Sequence, residues 1–265
     1  MALCAERSDG MEVNMEILEF GDKEKEILVL IHGFQSPYQV WEEYIKYYEN
    51  DYHIIVPILQ GHNPKIKEDF ISFNNTANEI ADYIISHYGN NVYAIYGMSL
   101  GGIITANIWQ NKKLNIQKII LDGSPIVSYP KILKSYLTNF YINVTHKSQQ
   151  RDEKTINQAI NTIVPKNMLN VFLEVLDSMS DKNIINYLNE WGNYKLPNNI
   201  DVFNTEIYYF HGTKMNEMLA KKSAKYLKKY YPSSNIICLK GKFHCETSIF
   251  NPNEMIKELD KIFNS

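Results

Sequence analysis

The sequence predicts an α/β fold, a mostly parallel sheet flanked by helices. Three observations lead there. Short runs rich in β-branched residues alternate with longer stretches of helical periodicity. The inner runs, such as EILVLI at 26–31, are apolar almost without interruption, as strands covered on both faces must be. The 265-residue chain is long enough to bury a sizeable core as a single domain.

The elements follow in order. Residues 15–20 read as an edge strand and 26–31 as the first buried strand. Residues 38–50 are helical, and 52–58 form a second buried strand. An amphipathic helix over 71–87 sets Ile80, Ala81, Ile84 and Ile85 on one face, with Gly89 as its stop. A strand at 91–96, a helix at 100–111 and a strand at 117–121 come next. The alternation then lapses. Residues 131–143, 153–163, 166–178 and 183–191 all read as helices, separated by polar or proline-containing breaks. The segment of about 126–199 is therefore expected to be a helical insertion over the sheet. Strand 206–211, helix 218–231, strand 235–240 and helix 252–263 complete the pattern. Residues 1–13 are expected to be disordered.

Composition excludes several function classes. A net charge of −3 argues against a nucleic-acid partner gripped through phosphates. Only Arg7 and Arg151 are arginine, so bidentate clamps have few sources. The cysteines Cys4, Cys238 and Cys245 have no framework spacing and read as reduced thiols. The N-terminal residues do not resemble a signal peptide, and no apolar run approaches the roughly 20 residues of a membrane span. A cytoplasmic location is expected. No His/Cys cluster has metal-ligand spacing and no glycine-rich phosphate loop occurs, so neither metal nor cofactor is expected. The sequence leaves the oligomeric state open.

The chemistry centres on Gly97-Met98-Ser99-Leu100-Gly101, a G-x-S-x-G set between a strand and a helix. A strand-to-helix turn this sharp needs glycine two residues before and after the serine, where side chains would clash. The turn lifts the Ser99 hydroxyl to a helix N-terminus, where the dipole and free N–H groups favour developing negative charge.

In this setting the chain resembles the α/β-hydrolase superfamily from about Met15 onward. His32-Gly33-Phe34 after the first buried strand is similar to the family's H-G-x oxyanion loop. Gln60-Gly61-His62-Asn63 follows the next strand, and Gly241-Lys242-Phe243-His244 the last, similar to the family's G-x-x-H. The resemblance implies acyl transfer with Ser99 as nucleophile and His244 as base, and with the backbone N–H groups of Phe34 and Leu100 as oxyanion donors. His32 is expected to be structural. The insertion falls where the family commonly carries a cap, and its aromatic and aliphatic residues, Phe172 among them, would bound an acyl pocket.

Among seven histidines, only His244 is C-terminal to the acid candidates and follows the last strand. The acid is less uniform. The family's usual position is occupied by Met215, which cannot orient an imidazole. Asp122, at the end of the strand after the elbow helix, is the first candidate, and Glu217 the alternative. The competing roles are a turn-forming aspartate before Gly123 and a glutamate satisfying a helix N-terminus. The functions implied are hydrolysis of a small-molecule acyl ester, thioester or carbon–carbon bond hydrolysis at the same site, or binding without catalysis.

Overall fold

The computed structural model describes residues 15–160 and 162–264. The expectation for residues 1–13 lies outside them. Among the described residues, seven strands form one sheet: β1 (Ile17–Phe20), β2 (Ile27–Ile31), β3 (His53–Pro57), β4 (Asn91–Met98), β5 (Asn115–Asp122), β6 (Glu206–Gly212) and β7 (Asn235–Leu239). Their spatial order is β1-β3-β2-β4-β5-β6-β7. β1 runs antiparallel to β3, and every other neighbouring pair is parallel. β2 and β3, buried along their whole lengths, are the apolar runs of the sequence. β7 is half-exposed because it forms the opposite edge.

Helices cover both faces: α1 (Glu42–Tyr48), α2 (Phe73–Tyr88), α3 (Leu100–Asn111), α4 (Lys131–Gln149), α5 (Glu153–Ile160), α6 (Leu169–Ser178), α7 (Asp181–Asn193), α8 (Met218–Tyr230), α9 (Glu246–Phe250) and α10 (Pro252–Phe263). α2 starts on Ser72, whose hydroxyl caps Asn75 N–H, and it stops at Gly89, at φ 82. α3 has almost no polar face, because the turn from β4 drives it through the core, and Leu100 to Trp109 are all buried.

Two departures from the sequence reading matter. The helix expected over 38–50 splits into a 3₁₀ turn at Tyr38–Trp41 followed by α1. The short α9, directly after His244, has no sequence precursor, because five residues are too few to show a period.

Between β5 and β6 the chain leaves the sheet as α4 to α7. Leu196 N–H donates to Ile126 O at 3.0 Å, closing the base of this excursion. The far part is tied to the loop after β3. Asn183 Oδ1 accepts Phe70 N–H at 2.7 Å, its amide donates to Glu68 O, and Asn186 donates to Phe70 O. The Tyr187 ring stacks on Phe70 at 3.7 Å, and its hydroxyl donates to Gln60 O at 2.9 Å. Among the described residues, no helix is long and apolar enough to cross a membrane.

Candidate active site

The C-terminal ends of β2, β4, β6 and β7 bring the candidate groups to one edge of the sheet. β4 ends at Met98, and Ser99 opens the turn into α3 at φ 52 and ψ −114. A non-glycine residue held at positive φ is strained, and such strain persists only where the surroundings over-determine it. Here they do. A Cβ on Gly97 would collide with Thr105 Oγ1, and one on Gly101 with the carbonyl oxygens of Ile31 and His32. Ser99 N–H donates to Asp122 O at 2.7 Å, fastening the turn to the end of β5.

His244 Nε2 lies 2.8 Å from Ser99 Oγ, and its Nδ1 lies 2.6 Å from Glu217 Oε1. A carboxylate can only accept, so Nδ1 carries the proton and Nε2 is left to accept from the serine hydroxyl. Burial works against the charged imidazolium, but the hydrogen bond to Glu217, its charge and that of Asp122 outweigh it. The His244 pKa ends above the usual histidine value. Glu217 is completely buried, and its Oε2 accepts Gly212 N–H at 2.7 Å. Burial raises its pKa, but the hydrogen bond and charge of His244, with the Gly212 N–H, leave it below the usual glutamate value.

Of the two acid candidates, Asp122 and Glu217, it is Glu217 that hydrogen-bonds His244. After β6 a 3₁₀ turn over Met215–Glu217 points Met215 out, 89% exposed, and Glu217 in, 0% exposed. Glu217 is therefore not the exposed helix-start residue its position implies. The Asp122 side chain turns the other way. Its Oδ2 accepts from Ser248 Oγ and from Tyr96 OH, the latter at 3.3 Å. Burial raises its pKa to about 6, opposed by Ser248 and by the charge of His244. The neighbouring Gly123 lies against the histidine, since a Cβ there would sit 2.7 Å from His244 Cε1. Ser248 and Tyr96 carried no signal in the sequence.

The loop after β2 passes beside the serine. A Cβ on Gly33 would lie 3.4 Å from Ser99 Cβ. The Phe34 ring packs against Tyr141 and Tyr187 from the helical excursion, with centroids 5.2 and 5.3 Å away. Leu100 is the first residue of α3, where a backbone N–H has no partner within the helix. His32 is fully buried, and burial depresses its pKa to about 4. His62 is also buried, with a pKa pushed well down by burial and by His32. Of the remaining histidines, His211 Nδ1 donates to Gly212 O at 2.7 Å, and His146 pairs with Asp181 on the excursion. Among the described residues, no group of three or more His, Cys, Asp or Glu could hold a metal ion.

A family model described as the alpha/beta hydrolase fold matches residues 26–229. A curated relative, the pimeloyl-[acyl-carrier protein] methyl ester esterase of Legionella pneumophila (strain Corby), is 26% identical over 140 residues. That match covers 51% of this chain and 55% of the relative, so the chain spans about half the length of the curated relatives it matches. Among solved structures, an esterase from Exiguobacterium antarcticum superposes with a TM-score of 0.77 at 16% identity, covering 100% of both chains. An esterase from a Rhodococcus species gives 0.73 at 17% identity, covering 100% of this chain and 98% of that one. At these identities the likeness concerns the fold.

Proposed function

This chain belongs to the α/β-hydrolase fold family, and on that premise we propose that it is a serine hydrolase cleaving a carboxylic ester through an acyl-enzyme intermediate. The observation that carries the reading is the unbroken run of hydrogen bonds from Ser99 Oγ through His244 to Glu217. In this reading Ser99 Oγ attacks the ester carbonyl while His244 Nε2 takes its proton. The imidazolium, held by Glu217, returns that proton to the leaving alkoxide, and a water activated in the same way hydrolyses the acyl-enzyme. The oxyanion is met by the backbone N–H groups of Leu100 and Phe34, fixed donors that need no reorganisation as charge develops.

The acid is Glu217 in this proposal, replacing Asp122. Its bond from Gly212 N–H holds the carboxylate in place while the other oxygen serves His244. The excursion α4 to α7 acts as a cap whose aromatic residues at Phe34 bound the acyl chain. The matched relative is by name a methyl ester esterase of an acyl chain, and from it we extend only the ester class to this chain. Cys238 and Cys245 are both free, which supports a reducing compartment such as the cytoplasm.

Fluorophosphonate labelling tests the reading. Mass spectrometry should map the label to Ser99, and Ser99→Ala should abolish both labelling and hydrolysis of p-nitrophenyl esters. Labelling elsewhere, or none on folded protein, removes the proposal.

A further inference from the structure

The position of the Phe34 N–H depends on two peptide groups, Gly33–Phe34 and Phe34–Gln35, and a buried histidine holds each of them. His32 Nδ1 donates to Gly33 O at 2.9 Å. That carbonyl lies opposite the Phe34 N–H across one planar trans peptide, so fixing the oxygen aims the donor. The next peptide is fixed from its other side, where Gln35 N–H donates to His62 Nε2 at 2.8 Å. Gln35 itself sits at φ 56, a strained conformation that needs such an anchor.

Both rings are rooted in the loop after β3. His32 Nε2 accepts Leu59 N–H at 3.1 Å, and His62 Nδ1 donates to Gln60 O at 3.1 Å. The two loops are thus cross-braced, each lending a histidine to the backbone of the other. The rings meet edge-on with centroids 5.0 Å apart. A charged imidazole would have no acceptor left for Gln35 N–H, and burial keeps His62 neutral. Gln60 O also accepts the Tyr187 hydroxyl of the helical excursion, and Gln35 Nε2 donates to Thr145 Oγ1 on α4. The brace therefore reaches the helices over the site.

We propose that His62 is a positioning residue for the oxyanion site: by accepting the Gln35 N–H across two loops it orients the Phe34 donor towards the tetrahedral intermediate. The inference rests on the serine-hydrolase reading above. It demands a defect confined to the transition state, because the oxyanion donor acts there more strongly than on the bound ester.

The test compares His62→Asn with His62→Gln. An asparagine amide reaches only as far as Nδ1 and keeps the bond to Gln60 O. A glutamine amide reaches to about Nε2 and offers Gln35 an acceptor. In Ser99-dependent hydrolysis, His62→Asn is expected to lose roughly 10–100-fold in kcat, part of the 10²–10³ that removal of a whole oxyanion donor costs. KM should change less than about threefold, and His62→Gln should recover most of the loss. Affinity for a trifluoromethyl ketone, whose oxyanion mimics the intermediate, should fall in parallel with kcat. A second variant removes only the one hydrogen bond: Gln35 replaced by its α-hydroxy acid, which lacks the N–H. It should match His62→Asn, and it carries the test if that protein does not fold. Wild-type kcat in either folded variant, or a kcat loss with unchanged ketone affinity, overturns the inference alone. A wild-type protein with no Ser99-dependent turnover overturns the parent reading, and this inference with it.

Discussion

Glu217 and Asp122 are both buried carboxylates near one histidine, and their surroundings divide their roles. Glu217 spends one oxygen on Gly212 N–H and the other on His244. Asp122 gives its carboxylate to Ser248 and Tyr96, and its main-chain oxygen to Ser99 N–H. Glu217→Gln should therefore lower the rate by roughly 10⁴, as loss of the orienting acid does in other triads, equivalent to about 5 kcal/mol of barrier. Asp122→Asn should cost less than about tenfold, since no bond to the imidazole is lost. The pH profile offers an independent check. In the proposed mechanism His244 must be neutral to accept a proton, so kcat/KM should fall as pH drops through its pKa, which lies above the usual histidine value. Glu217→Gln removes the bond and charge that raise it, so the acid limb of the residual activity should move to lower pH. An unmoved limb would assign it to another group. The sequence could not choose between the two carboxylates. Both stand in the right chain order, and the choice depends on which way a 3₁₀ turn of three residues points its side chains.

At the scale of elements, the turn from β4 into α3 was legible because its constraints are local. Two glycines flank the serine at fixed spacing, and the strand and helix on either side have clear periods. The cross-brace between the loops after β2 and β3 was not legible. Its partners, His32 with Leu59 and Gln35 with His62, are 27 residues apart, and no pattern announces such a bond. The turn also yields a sharp stability prediction. Gly101 lies in the first turn of α3, where alanine would ordinarily gain about 1 kcal/mol in helix propensity. Here its Cβ would meet two carbonyl oxygens, those of Ile31 and His32, on a rigid buried strand end. Overpacking of this kind costs about 1–3 kcal/mol, so the steric term should win. Gly101→Ala should lower the thermal midpoint by several degrees in a melting experiment, and a rise would refute the packing account.

Taken whole, the molecule builds its site from distant parts of one chain. The edge strand, the buried strands and the resumption of alternation at β6 could all be read from hydrophobic pattern, because the sheet imposes a period on whatever joins it. That α4 to α7 leave the sheet as a helical insertion could be read from the lapse in alternation, but the bonds that seat them could not, because they are single polar anchors such as those of Asn183 and Tyr187. Ser99 and His244 touch across a separation of 145 residues, and β7, which delivers the histidine, lies at the edge of the sheet. This geometry has a kinetic consequence. The loop must be closed before any contact rewards it, so such long-range pairings form slowly and late. Esterase activity during refolding from denaturant should therefore return with the slowest phase that tryptophan fluorescence detects, never ahead of it. A ribosome-bound chain ending before residue 235 should bind no fluorophosphonate, however much of its sheet has formed. On the serine-hydrolase reading, Ser99 is made early in synthesis and stays chemically silent until nearly the last strand arrives.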